Sequence, residues 1–468
     1  MNSTTKAVKI PAVLKKMHDI FASAGFQSYL VGGAVRDMIM GKEPHDYDVA
    51  TDAGPQDVMK LFNRVIPTGI EHGTVTVLLM GYSIETTTFR TESGYSDGRH
   101  PDSVRYAATI EEDLSRRDFT MNAIAVNLSD GVIVDPFHGR GDIEARLIRT
   151  VGNAHERFSE DGLRPVRALR FAAQLNFSIE KDTYSDIFEQ KTLAVVRKIS
   201  IERFRDEFTK MLASDRPSVA LKMMEETGIM NMFLPEFSPC RGCEQKDVRG
   251  FHEFDVLDHL FYACDGAPKD NLVVRLAALF HDIGKPAVKR TEHTEAGDVN
   301  TFYNHEQKSA AVTETVLTRL RYPTKIVNDV VHLVKEHMFH YESSWSDAAV
   351  RRFIVRVGTG YMDDLFDLRL ADMYGMHRLA VRVHDSEAGK NLVELRNRIA
   401  KVTAEKSAMS LRELAVNGKD LMEAGIPAGK DMGRILNELL STVLDDPAQN
   451  TKEALLTIAK NIYARKEL

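Results

Sequence analysis

The chain of 468 residues is predicted to be an α+β protein: a head built on a mixed, antiparallel-rich sheet, followed by helices to its end. Three observations carry this expectation. An apolar run, Tyr29 to Val31, passes directly into Gly32-Gly33 and then into Ala34 to Met40, the pattern of a strand, a glycine turn and a helix. Two runs of strand composition, Thr74 to Leu79 and Tyr82 to Phe89, flank Met80-Gly81 as the arms of a hairpin do. The later segments, beginning with Phe158 to Ala173, read as helices.

In chain order, residues 7 to 25 read as an amphipathic helix carrying Val8, Ile10, Val13, Leu14, Met17, Ile20 and Phe21, stopped by Gly25. After the glycine turn, Asp46 and Asp48 lie two residues apart in a second strand, and a side-chain period of two puts both carboxylates on one face. Paired carboxylates repel unless a cation lies between them, and Mg²⁺ held by carboxylates and substrate phosphates suits that position. Glycines at the turn let backbone N–H groups approach a polyphosphate at a helix start. A short helix, Gln56 to Phe62, follows. Glu85 lies inside the strand Ile84 to Arg90, where a charge can simply face solvent.

Arg90 to Asp113 reads as a polar, glycine-bearing loop, and so long a loop in a compact domain is functional or disordered. Glu112 to Ala125, by composition alone, is a capped helix with a charged first turn. Phe158 to Ala173 reads as a helix with Ser159 as its N-cap and a start or kink at Pro165. There Asp161, Arg164, Arg167 and Arg170 step by three, a stripe that drifts about 60° per step. A solvated charged face accounts equally well for that stripe.

These strings taken together resemble a known family. Val31-Gly32-Gly33-Ala34-Val35-Arg36-Asp37 followed by Asp46-Tyr47-Asp48 resembles the nucleotidyltransferases with a polymerase-β-type head, in the spelling of class II CCA-adding enzymes and bacterial poly(A) polymerases. The resemblance implies nucleotide contacts at Gly33 and Arg36 and a catalytic role for Glu85 beside Asp46 and Asp48. Arg116-Arg117-Asp118-Phe119-Thr120-Met121-Asn122-Ala123 is similar to the family string whose arginine meets the triphosphate and whose Asp and Asn sit near the ribose. That implies nucleotide binding by Arg117, Asp118 and Asn122. Glu160 to Phe171 resembles the amino-acid template of the family, so Asp161 and Arg164 would read the Watson–Crick edge of the base while Arg167 and Arg170 meet phosphates or the base. The loop at 90 to 113 resembles the one that helps such enzymes switch to adding A.

Beyond Lys246-Asp247 histidines accumulate. Phe280-His281-Asp282-Ile283-Gly284-Lys285-Pro286, with His259, His305, His337 and Asp372, resembles an HD domain, in which His259, His281, Asp282 and Asp372 would hold a divalent transition metal. His332 and His340 flank His337 and fit a structural role as easily as a ligand role. The glycine turns at Gly418 and Gly425 to Gly433 resemble the tRNA-facing tail of such enzymes, although plain helix connectors would look the same. The implied organisation is a catalytic head at 1–140, a helical neck with the nucleotide-selecting helix at 141–236, an all-α HD-type domain at 237–400 and an RNA-binding tail at 401–468. The implied activity is template-independent addition of CMP and AMP to the tRNA 3′ end from CTP and ATP, with Mg²⁺. An A-only or poly(A) enzyme, or an HD metal phosphohydrolase with an RNA-binding head, fits the same motifs.

Composition narrows the setting. With 43% hydrophobic and 28% charged residues this is an ordinary globular chain, and no apolar run approaches the roughly 18 residues of a membrane span. The polar start, Met1 to Pro11, lacks the apolar core of a secretory signal, so the expected location is cytoplasmic, with no membrane partner. Three cysteines cannot form a disulfide framework, and Cys240-x-x-Cys243 has no second pair to complete a zinc site. A net charge of −7 means that a polyanionic partner must be met by locally concentrated arginines.

Overall fold

The computed structural model describes residues 8–70, 73–93, 103–245, 253–295, 297–379, 385–405 and 408–464. The chain forms two compact units, Met1–Pro235 and Glu236–Leu468.

In the first unit, α1 (Ala12–Ser23) buries Val13, Leu14, Met17 and Phe21, the three-and-four spacing of one helix face. It lies against β1 (Ser28–Val31), which turns at Gly32 into α2 (Gly33–Ile39). β2 (Tyr47–Thr51), α3 (Pro55–Leu61), β3 (Val65–Gly69), β4 (Thr74–Leu79) and β5 (Tyr82–Thr88) follow. β6 (Arg90–Ser93), β7 (Ser103–Tyr106), α4 (Ile110–Ser115), β8 (Ala125–Asn127) and β9 (Ile133–Val134) complete the head. Its seven-stranded sheet runs β3-β4-β5-β2-β1-β8-β9, antiparallel except for the β2–β5 pair. The stretch expected as a loop from Arg90 to Asp113 is partly structured. β6 and β7 pair as a ribbon and α4 carries a capping box between Thr109 and Glu112, so only the middle of the stretch, 94–102, lies outside the described residues.

Register explains where the head opens. Tyr29 faces Ala50 and Val31 faces Asp48 across β1–β2, so all four side chains share a sheet face. Tyr29, Val31 and Ala50 are buried there beneath Phe89, Ile110 and Leu114. Two residues before Ala50, at Asp48, that cover ends and the face is exposed.

The chain continues through α5 (Gly139–Glu144), β10 (Leu147–Ile148), α6 (Ala154–Glu160), α7 (Leu163–Leu175) and β11 (Ser178–Ile179), with β10 and β11 in parallel. Five helices complete the unit: α8 (Lys181–Ile187), α9 (Gln190–Val196), α10 (Ile201–Leu212), α11 (Pro217–Glu226) and α12 (Ile229–Phe233). α7 packs on α10 and α11. The single helix expected over Phe158 to Ala173 is two. Asn153 caps α6, Ser159 bonds back to the Glu156 carbonyl inside it, and the chain breaks at Asp161-Gly162. Asp161 is extended at the break, with φ −143° and ψ 111°, and the chain packs so closely there that a Cβ on Gly162 would come within 2.5 Å of the Val195 carbonyl oxygen. Pro165 then falls in the first turn of α7, where its missing N–H costs nothing.

A 3₁₀ turn, Pro235–Cys240, spans the start of the second unit, which continues with α13 (Val256–Gly266), α14 (Leu272–Phe280) and α15 (Lys285–Val288). A hairpin of β12 (Arg290–Thr294) and β13 (Gly297–Thr301) precedes α16 (His305–Arg319), α17 (Thr324–Glu336), α18 (Asp347–Val357) and α19 (Met362–His377). That hairpin corrects the all-α expectation for 237–400. Its residues are almost all exposed or half-exposed, so no buried face marks it in the sequence. Gly266 and Gly375 let α13 and α19 cross closely: a Cβ at Gly375 would lie 2.9 Å from the His259 carbonyl oxygen. The remaining helices, Glu387–Ala404, Gly418–Glu423, Lys430–Asp445 and Lys452–Ala464, include a separate core of Ile435, Leu439, Val443 and Leu455. Among the described residues no helix is long and apolar enough to cross a membrane.

Candidate active site

β2 and β5 run parallel with Asp48 opposite Glu85, so these carboxylates leave the sheet side by side on its open face. Asp46 sits one residue before β2, not within it, because ladder pairing starts at Tyr47. Asp48 reaches the surface, yet the protein crowded around it thins its hydration; this loss of solvation, then the Glu85 charge, push its pKa up to about 6 against the pull of Arg117, and Asp46 adds to the rise. The charges of Glu85 and Asp46 both act on Asp48, so this edge of the sheet is short of positive charge.

Gly32 closes the site from the β1 side. Its φ of 72° is a left-handed conformation, and a Cβ there would lie 3.1 Å from Arg117 Nη1 and 3.5 Å from Asp48 Oδ2. Gly33, singled out by sequence, opens α2, but Gly32 is the residue whose lack of a side chain the geometry requires. Arg117 follows α4 and is anchored by Asp113 Oδ2 at 3.3 Å.

Behind it runs a connected network. Arg36 Nη1 donates to Asn122 Oδ1 at 3.0 Å, Asn122 Nδ2 donates to Asp118 Oδ1 at 3.1 Å, and Arg167 donates to Asp118 Oδ2 through Nε at 2.8 Å and Nη2 at 2.6 Å. Asp118 is 9% exposed. Burial alone would raise its pKa, but the Arg167 charge and hydrogen bonds, then Asn122 and Arg164, hold it down to about 2. The network joins residues from α2, the segment after α4 and α7.

The four residues of the arginine stripe have separate surroundings. Asp161 lies in the break before α7, where its Oδ2 accepts from Arg203 Nη2 at 2.7 Å and its Oδ1 from the Leu163 N–H at 3.0 Å. Arg164 donates to the carbonyls of Arg157 and Arg116, each at 3.0 Å, and to Glu160, so the structure does not pair its guanidinium with Asp161. Arg170 is 6% exposed, stacked 3.7 Å from the Phe171 ring centroid and 2.6 Å from Glu207. Burial lowers its pKa to about 10 despite that glutamate. Arg203 and Glu207 of α10 escape a reading by local spacing, because their partners lie about 40 residues upstream.

A second cluster forms in the other unit. His259 of α13, His281 after α14 and Asp372 of α19 meet Asp282: His259 Nε2 is 3.3 Å from both Asp282 Oδ2 and Asp372 Oδ1, and His281 Nε2 is 3.2 Å and 3.5 Å from the same oxygens. His305 and His337 approach the other Asp282 oxygen at 3.0 and 3.6 Å. Asp282 is thus shared by two ligand sets. His281, His305 and His337 each place Nδ1 against a backbone carbonyl, of Ala278, Phe302 and Val334, which fixes the tautomer and turns a bare Nε2 inward. Bare imidazole nitrogens facing carboxylates repel unless positive charge lies between them, which suits a metal. Despite burial, the two aspartates raise His281 to about 10, showing how strongly the spot favours a cation. His332 bonds to the Val357 carbonyl and His340 is exposed beside Glu342, both away from the cluster. Of the tail turns, the first N–H groups at Lys419 and Asp420 are taken by the Asn417 side chain.

An in-register carboxylate pair on a parallel strand pair, entered through a strand–glycine–helix turn, defines a nucleotidyltransferase head of the polymerase-β type. Residues 28–149 match the family model for the poly A polymerase head domain, 176–240 that for the RNA and SrmB- binding site of polymerase A, and 299–459 that for tRNA nucleotidyltransferase domain 2. The chain is 33% identical to the CCA-adding enzyme of Lactobacillus johnsonii over 95% of this chain and 94% of that one. It is 34% identical to the CCA-adding enzyme of Latilactobacillus sakei over 98% and 100%. The crystal structure of the Bacillus stearothermophilus CCA-adding enzyme in complex with CTP superposes with a TM-score of 0.73 at 28% identity, covering 97% of this chain and 98% of that one. The chain belongs to the family of class II CCA-adding enzymes and bacterial poly(A) polymerases.

Proposed function

We propose that this protein adds CMP and AMP to the 3′ end of tRNA, completing CCA from CTP and ATP without a nucleic-acid template. The observation that carries the proposal is the register of Asp48 with Glu85 beside the Gly32 turn and Arg117. The three acids fit Mg²⁺, because Asp48 already holds a proton more tightly than an ordinary carboxylate. Asp46 and Asp48, with Glu85 alongside, would hold it. Mg²⁺ bound there supplies charge neutralisation for the triphosphate and acidifies the attacking hydroxyl. Arg117 provides positive charge for the triphosphate at the glycine turn, where Gly33 and Arg36 begin the helix. Asp118 and Asn122 orient the ribose, held by Arg36 and Arg167. The cytoplasm is the fitting compartment for such work. Given a tRNA that ends before its CCA, CTP alone should be incorporated and UTP and GTP refused; failure to use CTP contradicts the proposal.

Base choice falls to Asp161 and Arg164. Asp161 is aimed by Arg203 at 2.7 Å, so both Asp161→Ala and Arg203→Ala should relax selection. Side-chain contacts to a base edge are worth about 1–3 kcal/mol, so preference for CTP and ATP over UTP and GTP should fall roughly 10- to 100-fold. Competition among the four triphosphates measures it, and unchanged preference in both variants removes this role. Shortening the chain around Gly94 to Gly98 should spare CMP addition and cripple the final AMP; equal loss of both steps would mean damage to the head.

The second cluster supports a further activity of the HD type. A domain kept as scaffold has no need of four imidazoles converging on two aspartates. We infer a divalent transition metal at His259, His281, Asp282 and Asp372, with His305 and His337 on the shared aspartate, and hydrolysis of phosphate esters such as 2′,3′-cyclic phosphates. Activity should appear with Mn²⁺ or Ni²⁺, vanish with a chelator and in His281→Ala, and survive Asp48→Asn. Equal turnover by His281→Ala would reduce the cluster to architecture.

A further inference from the structure

One carboxylate in the head holds together groups that grip different parts of the nucleotide. Asp113, in the last turn of α4, is fully buried. Its Oδ1 accepts from Arg116 through Nε at 3.1 Å and Nη2 at 2.8 Å, and from the Arg90 N–H at 3.3 Å. Its Oδ2 accepts from Arg117 Nη2 at 3.3 Å. Burial alone would raise the pKa of this carboxyl, but the Arg116 and Arg117 charges, then hydrogen bonds from the Arg116 side chain and the Arg90 N–H, hold it below the ordinary aspartate range. The group is therefore an anion at neutral pH.

Three elements meet on these two oxygens. Arg90 opens the β6–β7 ribbon, and Arg117 lies against the Gly32 turn. Arg116 ends α4, and its backbone carbonyl accepts from Arg164 Nη2 of α7 at 3.0 Å. The neighbouring Ser115 carbonyl accepts from Arg157 Nη1 of α6 at 3.2 Å, so the same helix end is fastened twice to the neck helices. Arg116 and Arg117 follow Asp113 by three and four residues, the separations at which helical side chains meet, so one acid orients both.

We propose that Asp113 is a positioning residue that sets triphosphate grip and base choice together. Through Oδ2 it aims Arg117 at the triphosphate, and through Oδ1 and Arg116 it fixes the helix end that carries Arg164. The proposal rests on the roles given above to Arg117 and Arg164 and adds the residue that couples them. Asp113 is enclosed and reaches the substrate only through these arginines.

The test uses the full chain and two separate readouts. Triphosphate grip is the affinity for inorganic tripolyphosphate with Mg²⁺, measured by calorimetry without RNA, so that no transfer can occur. Base choice is the ratio of kcat/KM for CTP over UTP on a tRNA that ends before its CCA. Arg117→Ala should weaken tripolyphosphate binding about tenfold, the scale of one charge-assisted hydrogen bond, and leave the ratio nearly as it was. Arg116→Ala keeps the carbonyl that holds Arg164 but unties it from Asp113; the ratio should fall about tenfold and tripolyphosphate binding should be spared. Asp113→Ala should lose both properties. If that variant does not fold, Arg116→Ala decides alone, because lost packing would not separate the two readouts. An unchanged ratio in Arg116→Ala, or loss of only one property in folded Asp113→Ala, overturns the coupling. If Arg117→Ala binds tripolyphosphate as the wild type does, the role of Arg117 itself fails, and the proposal with it.

Discussion

Asp48→Asn should end nucleotide transfer without weakening the fold. Incorporation of CMP into a truncated tRNA should drop about 1,000-fold or more, the scale of removing a preorganised electrostatic group from a reacting centre. Stability should move the other way. The folded chain holds the Asp48 proton up to about 6, against 3.8 for an ordinary aspartate, so ionisation opposes folding. That penalty is present in full above about pH 6 and absent below 3.8. Asparagine keeps the shape and removes the charge facing Glu85, so at neutral pH and without metal the variant should melt no lower than the wild type. A variant that still transfers, or that unfolds several degrees earlier, would remove Asp48 from the centre of the mechanism.

Asp118→Ala should cost both activity and stability. It cuts the line from Arg36 through Asn122 to Arg167 and leaves the Arg167 guanidinium with the looser contact to Glu207 at 3.7 Å and the charge of Asp161. Asp118 is ordinary at 3.8 when unfolded and about 2 when folded, so its ionised form stabilises the native state by about 2 kcal/mol. The contribution is present above pH 3.8 and is lost as pH falls toward 2. Urea titrations should show the first unit of Asp118→Ala weakened by about 2–3 kcal/mol at pH 7, with the gap narrowing below pH 4. Transfer should fall about 100-fold, because a ribose displaced by a fraction of an ångström loses its alignment for attack. A constant gap down to pH 2.5 would mean that the lost stability is packing and not charge.

Much of the head is legible because its signals are local. The strand–glycine–helix turn depends on backbone period alone, and the β5 strand brings Glu85 opposite Asp48, while Asp46 falls one residue short of β2 and outside the period that was to align it. What was not legible depends on partners far along the chain. Gly162 at the break packs against the Val195 carbonyl, Asp161 is held by Arg203, and Arg170 is buried against Glu207. A stripe of arginines stepping by three looks alike whether it faces phosphate, solvent or a buried glutamate. In the second unit the ligand residues are readable one by one, but the division of Asp282 between two histidine pairs depends on elements far apart in the chain, with His259 and His281 on one side and His305 and His337 on the other. The β12–β13 hairpin escaped notice because its exposed strands carry no apolar alternation.

The most direct test of the central claim is the length of product formed on a tRNA lacking its last three nucleotides, with CTP and ATP both in excess. A single product three nucleotides longer, ending in A, formed only when both triphosphates are present and stable on prolonged incubation, is the predicted result. A lengthening ladder of A residues, or one A added without any need for CTP, would contradict it and assign the chain to the polyadenylating or A-only members of its family.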